Sequence, residues 1–387
     1  MAHADAQAPP AVRTAARIAA LDWARGWMLV ASVTVNSVFI PVAALQHAAW
    51  TGVTPLDIIF PLFVTLSGVG MAFAFARRVD IVRVIRRALV LLALGLVYNA
   101  VQEWSIDPET WRFTGVLQLY AVLIMIVAGL HMLVRSWRGW AVIAAATALA
   151  HSIMISVVAS QCVAGLVVPQ CNPSGVIDPV VFGAAHIYQG GAAGHDPEGI
   201  VAILGALVSA SIGAMAGHLI LEHRDGSRRG PWKLPSTTVP LMVMVLVLVV
   251  AAVSLPHLFD LLGGSPVPVM KRLWTAPFAA AVGALALGLV WLGQAVLQRT
   301  DPAASAKAAR VWDPVIGLGR NSLLVYFGSH AAMAIMTTSI IGPSVVDRVI
   351  SVIGNAAIAQ ALWTVVWLAL WWALAYVLHR RGIYVRP

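Results

Sequence analysis

Charge is the scarcest commodity in this sequence: only 11% of its 387 residues are Asp, Glu, Lys or Arg, against roughly a quarter in ordinary soluble domains. With 60% apolar residues and a mean hydropathy of +0.85, the chain has too little polar surface to cover a water-soluble fold. A soluble enzyme is thereby excluded. Cysteine is nearly absent as well, and two in the whole chain exclude a disulfide-dense secreted scaffold. Glycine without a three-residue period excludes collagen, and the apolar content excludes a disordered chain. No Walker-type loop, GxSxG elbow, HExxH or CxxC motif is present. The GVGMAF stretch at 68–73 lacks the strand-turn-helix context of a dinucleotide fingerprint, so it reads as small-residue helix packing.

What the chain does have is long apolar runs. A bilayer core of about 30 Å needs roughly 20 apolar residues in a helix, and about ten runs qualify: 24–45, 55–76, 83–102, 115–134, 139–160, 199–221, 237–256, 273–297, 315–340 and 358–379. Helices are required because lipid cannot satisfy exposed backbone groups, and the runs are too long for barrel strands. The expected fold is therefore an all-α, polytopic integral membrane protein of about ten transmembrane helices. The stretch 341–357, with Gly342, Pro343, Asp347 and Arg348, reads as a loop carrying a short interfacial helix. Residues 1–16, rich in Ala and Pro, read as a disordered lead-in and not a signal peptide, with a single membrane domain over 17–387.

The net charge of +9 would suggest nucleic acid in a soluble protein; here the basic residues report orientation, and no nucleic-acid partner is expected. Assigning alternate loops to opposite sides puts twenty of the 25 Lys and Arg on one side, among them Arg25, Arg78, Arg83, Arg87, Arg135, Arg310 and Arg380. Four lie opposite (Arg112, Lys271, Arg272 and Arg348), with Arg320 at a span end. Both termini are thus predicted to be cytoplasmic, in a multi-pass protein of the cell membrane. The longest loop, 161–198, falls outside with both cysteines. Cys162 and Cys171 either close a small disulfide loop in that oxidising compartment or stay as unpaired thiols. The loop is longer than a connection needs and is expected to shape a substrate mouth. His186, Asp196 and Glu198 lie on it, with Trp50, Lys271 and Trp274 on neighbouring outer segments.

Polar residues within or beside spans are the informative ones. Asn36 lies inside the first span and His47 just beyond it, with Pro41 between them to end or kink the helix. Imidazole is the usual side chain for proton transfer near neutral pH. Two readings are open for Asp57: the acid of a capping box with Thr54 and Pro55, or a partner that orients His47. Asp22 and Arg25 form either a local ion pair or a cytoplasmic lip for an anionic ligand. Gln118, Asn321, Tyr326 and His330 are either interhelical glue or the lining of a ligand cavity. His131, His151, His218 and His379, near span ends, receive no role. Trp363, Trp367, Trp371 and Trp372 have the spacing of packing and interface anchoring.

These residues also resemble a known family. The stretch QHAAWTGVTPLDIIFPLFVTLSG at 46–68 is similar to the HAxWxGxTxxDxxFPxF signature of the heparan-α-glucosaminide N-acetyltransferase family of transmembrane acyltransferases. Further blocks follow in the family's order: LDWARG at 21–26, GVLQ at 115–118, IDPVVFGAAHIY at 177–188, DPEG at 196–199, PVMKRLWT at 268–275 and GRNSLLVY at 319–326. Thr114, Leu119 and Met270 depart from the family's usual residues. The resemblance implies a bacterial-type member, without the large luminal domain and leading span of the eukaryotic enzyme, that transfers an acetyl group from cytosolic acetyl-CoA to an amino sugar or envelope glycan hydroxyl outside. His47 matches the family's catalytic histidine and Asn36 the asparagine before it, with Asp57 beside them. Arg25, Gln118, Asn321 and Tyr326 are the expected acetyl-CoA contacts, and no metal is expected. Membrane lipid is a partner, and a homodimer is an assembly the resemblance allows. The competing class is a transporter or flippase of a small solute or lipid-linked sugar.

Overall fold

The computed structural model describes residues 19–224, 237–297, 302–339 and 342–385. The expected lead-in 1–16 and the basic residues Arg13, Arg17, Arg228, Arg229, Lys233, Arg299 and Arg386 lie outside the described residues. The chain runs through α1 (Ala19–Asn36), α2 (Pro55–Phe75), α3 (Ile81–Glu103), α4 (Val116–Leu133), α5 (Trp137–Ala159), α6 (Pro173–Phe182), α7 (Ile200–Arg224) and α8 (Thr238–Leu261). It continues through α9 (Ala276–Leu297), α10 (Pro302–Val311), α11 (Asp313–Arg320), α12 (Ser322–Thr337), α13 (Val345–Ile353) and α14 (Ala356–Arg380). Among the described residues there are no strands, and the protein is an all-α, multi-pass membrane protein.

Seven of these helices, α2, α4, α5, α7, α8, α9 and α14, are long and apolar enough to cross a bilayer. The other three expected spans correspond to α1, to α3 with Arg83, Arg86 and Arg87 in its first turns, and to the α11–α12 pair, so the count of ten rests on shorter or more polar helices. Apolar residues on every face have two origins. α2 and α7 are central and buried nearly all round, whereas α8 and α14 turn Val243, Leu246, Val250, Val253, Leu362, Val365 and Val366 outward toward lipid.

Two expected spans are drawn differently. The first was placed at 24–45, but α1 ends at Asn36 and only a short 3-10 turn, Ala43–Leu45, follows. Gln360 of α14 takes up the freed backbone groups: Oε1 accepts from Phe39 N (2.8 Å) and Ile40 N (3.1 Å), and Nε2 donates to Ser37 O. A chain satisfied in this way can leave the helix at membrane depth. The ninth span, 315–340, is two helices broken at Asn321, whose side chain bonds the backbone of 383–385 instead of continuing the helix. The short helix expected within 341–357 is α13, capped by Ser344 and Asp347.

The central pair packs through small residues. A Cβ on Gly213 of α7 would lie 2.0 Å from Thr65 O, and one on Gly68 of α2 would lie 2.2 Å from Ala210 O. Backbones therefore touch directly, the arrangement expected where lipid supplies no hydrophobic drive between helices. Gly213→Ala forces α2 and α7 apart and is expected to destabilise the protein by about 1–3 kcal/mol. Thermal unfolding in detergent reads this as a lowered midpoint, and an unchanged midpoint contradicts the backbone contact.

Candidate active site

The loop between α1 and α2 carries His47, and Asp57 organises it. Asp57 sits in the first turn of α2 and is almost wholly buried, whereas the His47 side chain is 43% exposed. Asp57 Oδ1 is 2.6 Å from His47 Nδ1. Asp57 Oδ2 accepts from Ala48 N (3.1 Å), Thr54 N (2.9 Å) and Thr54 Oγ1 (3.0 Å). The two readings of Asp57 are thus compatible: one carboxylate oxygen closes the helix N-terminus and the other holds the imidazole. A carboxylate only accepts, so Nδ1 carries the proton and Nε2 presents its lone pair. Asn36, the last residue of α1, keeps a buried Nδ2 with no hydrogen-bond partner.

Three contacts fix the same loop from outside. Trp50 Nε1 donates to Val167 O (2.8 Å), Gly52 N to Val269 O (3.2 Å) and Arg272 Nε to Ala48 O (3.1 Å). Gly52 takes φ +90°, a backbone conformation that favours glycine. Trp50 also meets His195 edge-on at 5.0 Å. His195 is buried with an unpartnered Nε2, and burial depresses its pKa, with Arg272 and Lys271 adding to the effect.

The segment 161–198 is a folded cap and not a bare loop. Cys162 and Cys171 are disulfide-bonded with a Cα–Cα distance of 5.8 Å. Asp178 of α6 accepts from Ile200 N at the start of α7 and from Ser174 Oγ, and burial pushes it up to about 6. His186 Nδ1 donates to Trp111 O (2.8 Å) and the ring stacks on Phe113 at 4.2 Å, tying the cap to the α3–α4 connection.

Asp196, Glu198 and Lys271, expected at a substrate mouth, are buried with Arg112 in one ion network. Arg112 Nη2 reaches Asp196 Oδ1 (3.1 Å) and Glu198 Oε2 (2.7 Å), and Lys271 Nζ reaches Glu198 Oε1 (3.2 Å). Thr114 Oγ1 bonds Asp196 and receives Arg112 Nε, so this departure from the family's pattern is built into the network. Burial by itself would raise the Glu198 pKa, but Lys271 and Arg112 together hold it at about 2, and the two carboxylates raise Arg112 in turn. Trp274 lies away from any mouth: it is fully enclosed, donates Nε1 to Ser209 Oγ (3.0 Å) and packs on Phe60.

At the other end of α2 lies a cavity of about 370 Å³ whose wall includes Arg25, Arg78, Arg83, Arg87 and Arg320, with Asp22 and Asp80. Gly70 leaves the room for Arg25, whose Nη2 donates to Leu66 O (3.1 Å). Phe63 and Tyr120 also line the cavity, their rings 5.2 Å apart, and Tyr326 stacks on Phe63 at 6.3 Å. Six residues of helix separate Phe63 from Asp57, or about 9 Å.

Of the expected cofactor contacts, Arg25 alone lines this cavity. Gln118 is buried between Gly95 and Gly115 with neither amide atom partnered, Tyr326 stands behind Phe63, and the Asn321 amide is committed to Ile383 and Val385. Arg78, Arg83 and Arg87 were legible only as an orientation signal and Arg320 only as a residue at a span end, and neither Arg272's hold on Ala48 nor the burial of His195 has a local sequence signature.

The protein is thus a multi-pass membrane protein with a carboxylate-held imidazole at one end of its central helix α2 and an arginine-lined cavity at the other. Residues 17–182, which contain Asn36, His47 and Asp57, match the profile of the heparan-alpha-glucosaminide N-acetyltransferase catalytic family. It is 22% identical to the mouse heparan-alpha-glucosaminide N-acetyltransferase over 98% of its own length and 62% of the relative's. With the human protein of the same name it shares 23% identity over 81% of its length and 52% of the relative's. The chain thus spans about half to three fifths of these relatives.

Glu198 supplies a pH test. Its folded pKa lies below the ordinary 4.5, so its contribution to stability is present above about 4.5 and is lost as pH falls toward about 2. Glu198→Gln leaves buried cations short of a counter-charge and is expected to destabilise the protein by about 3–5 kcal/mol at neutral pH. The gap in melting temperature between wild type and variant should close across that acidic window, and a pH-independent gap contradicts the ion pairing.

Proposed function

We propose that this protein is a transmembrane acetyltransferase that takes an acetyl group from acetyl-CoA on the cytoplasmic side and delivers it to an amino sugar or glycan hydroxyl on the outer side. The observation that carries the reading is the His47–Asp57 pair at 2.6 Å with the lone pair of Nε2 left free, in a chain whose relatives are N-acetyltransferases. In this orientation the arginine-lined cavity faces the cytoplasm, and both termini lie there with it.

Acetyl-CoA is a polyanion with a long flexible arm, and the two ends of the core suit its two parts. Arg25, Arg78, Arg83, Arg87 and Arg320 outnumber the acids Asp22 and Asp80 around the cavity and suit phosphate groups. The arm extends past Phe63 toward His47 and supplies the thioester. His47 Nε2 takes the proton of the acceptor amine or hydroxyl as that atom bonds to the acyl carbon. Asp57 holds the imidazole in the tautomer this requires and stabilises the imidazolium that forms. The unpartnered Asn36 Nδ2 donates to the oxygen that gains charge. Cleavage of the C–S bond releases the thiolate, which takes the proton back from His47. Trp50, His195 and the buried ion network shape the outer side, where the acceptor enters.

Purified protein in liposomes, given labelled acetyl-CoA inside and glucosamine or a cell-envelope glycan outside, is expected to yield acetylated product by mass spectrometry. His47→Ala should lower turnover about 100- to 10,000-fold, and Asp57→Asn about 10- to 1,000-fold through loss of the tautomer. Wild-type turnover by His47→Ala removes the histidine from the mechanism. Absence of acetyl product from the wild-type protein with every acceptor removes the proposed function.

A further inference from the structure

Beyond α14 the chain runs on through residues 381–385, and Val385 lies on the wall of the arginine-lined cavity. This segment is fixed at every residue with a distinctive side chain or backbone group. Asn321, at the break between α11 and α12, accepts from Val385 N (3.2 Å) and donates to Ile383 O (3.4 Å). Arg320 Nη1 donates to the Tyr384 hydroxyl at 2.8 Å, and the guanidinium lies 5.0 Å over the Tyr384 ring. The same hydroxyl is 3.0 Å from His379 Nδ1, and His379 Nε2 is 3.0 Å from Asp313 Oδ1. A hydroxyl that accepts from Arg320 donates to His379, and His379 donates onward to Asp313, so Asp313, His379, Tyr384 and Arg320 form one directional chain. Arg320 is also 3.5 Å from Asp22.

We infer that Tyr384 is a positioning residue of the anion cavity: with His379 behind it, it holds Arg320 against the cavity wall, and the 381–385 segment is part of the binding site for the phosphates of the acyl donor. The inference rests on the acetyl-CoA reading above. A lone arginine side chain carries about 2 kcal/mol of rotamer entropy, and an anion must fix it on binding unless the protein already has. Asp22 restrains one edge of the guanidinium, while Tyr384 covers its face and bonds a second nitrogen. The Asn321 amide, anchored in the helix break, keeps the segment in register so that the tyrosine meets the arginine.

The test compares acetyl-CoA with S-acetylpantetheine, a donor with the same thioester and arm but no phosphates, in wild type, Tyr384→Phe and Tyr384→Ala. Tyr384→Phe should raise the KM for acetyl-CoA and the Kd for coenzyme A about 3- to 10-fold, the net range of one ordinary hydrogen bond acting through Arg320, with kcat changed less than about twofold. Tyr384→Ala, which also removes the ring, should raise them further. The KM for S-acetylpantetheine should not move in either variant. Equal losses with both donors mean that Tyr384 only supports the fold, and unchanged values with both mean that it does not act on the donor at all; each overturns the inference alone. A wild-type protein that binds no coenzyme A overturns the donor reading and this inference together.

Discussion

The Asp57 carboxylate joins everything the outer site needs. Two oxygens serve four donors: the imidazole of His47, the amide of Ala48, and the amide and hydroxyl of Thr54. A hydrogen bond to an ionised acceptor contributes about 1.5–3 kcal/mol, so this one side chain sets the start of α2, the path of the loop and the angle of the imidazole. Since α2 is one of the two central helices, the histidine is referred to the buried core of the protein. Without Asp57 the loop keeps the ties of Ser37, Phe39 and Ile40 to Gln360 and those of Trp50, Gly52 and Arg272 to neighbouring segments, none of which touches the His47 side chain.

The two groups of buried or half-buried charge at opposite ends of the core are built differently. Beneath the cap, Arg112 and Lys271 face Asp196 and Glu198, two cations against two anions with oxygen–nitrogen distances of 2.7–3.2 Å. Such a network is internally neutral and has little charge left to offer a ligand; its work is to lock the cap to the α3–α4 connection and to the 268–275 turn. At the other end five arginines meet two acids around a cavity. The surplus of positive charge there is held open by Gly70, by the turn between α2 and α3, and by the segment 381–385. Neutral closure suits a structural role, and the excess of arginines over acids among the described residues that line the cavity suits the phosphate binding proposed above.

Much of this was legible in the sequence, and the rest fails for identifiable reasons. The apolar runs gave α2, α4, α5, α7 and α9 to within a few residues because membrane spans obey a length rule. Runs broken by tertiary partners were not legible: α1 stops where Gln360, more than 300 residues away, receives the freed backbone, and the α11–α12 break depends on Asn321 meeting residues 383–385. At the site, Asn36, His47 and Asp57 stand out as polar residues where polar residues are rare. Composition cannot tell a buried ion pair from an exposed mouth, and Asp196, Glu198 and Lys271, expected at a mouth, are buried in one ion network. Arg78, Arg83 and Arg87 were counted as topology signals, which hides a ligand role behind the same charge, and Gln118 and Asn321 drew attention as amides although only the fold says whether an amide is free or committed.

Between the two ends stands an aromatic layer of Phe63, Tyr120 and Tyr326, and it defines what transfer across this core must overcome. On one side the cavity rises along α2 as far as Phe63; on the other, Asp57 lies about 9 Å further up the same helix. No charged side chain lies between those positions on α2, whose intervening residues are Ile58, Ile59, Phe60, Pro61 and Leu62. Electrostatics therefore places a polyanion at the arginine end and prevents it from going further, since desolvating phosphates in this stretch has no compensating partner. A slender, mostly uncharged arm meets only packing resistance from three rings, which rotamer changes relieve at far lower cost than charge burial. On the proposed acetyl-CoA reading, the same layer that stops a nucleotide discriminates in favour of the arm, so the core would separate the two parts of that donor by polarity before any chemistry occurs.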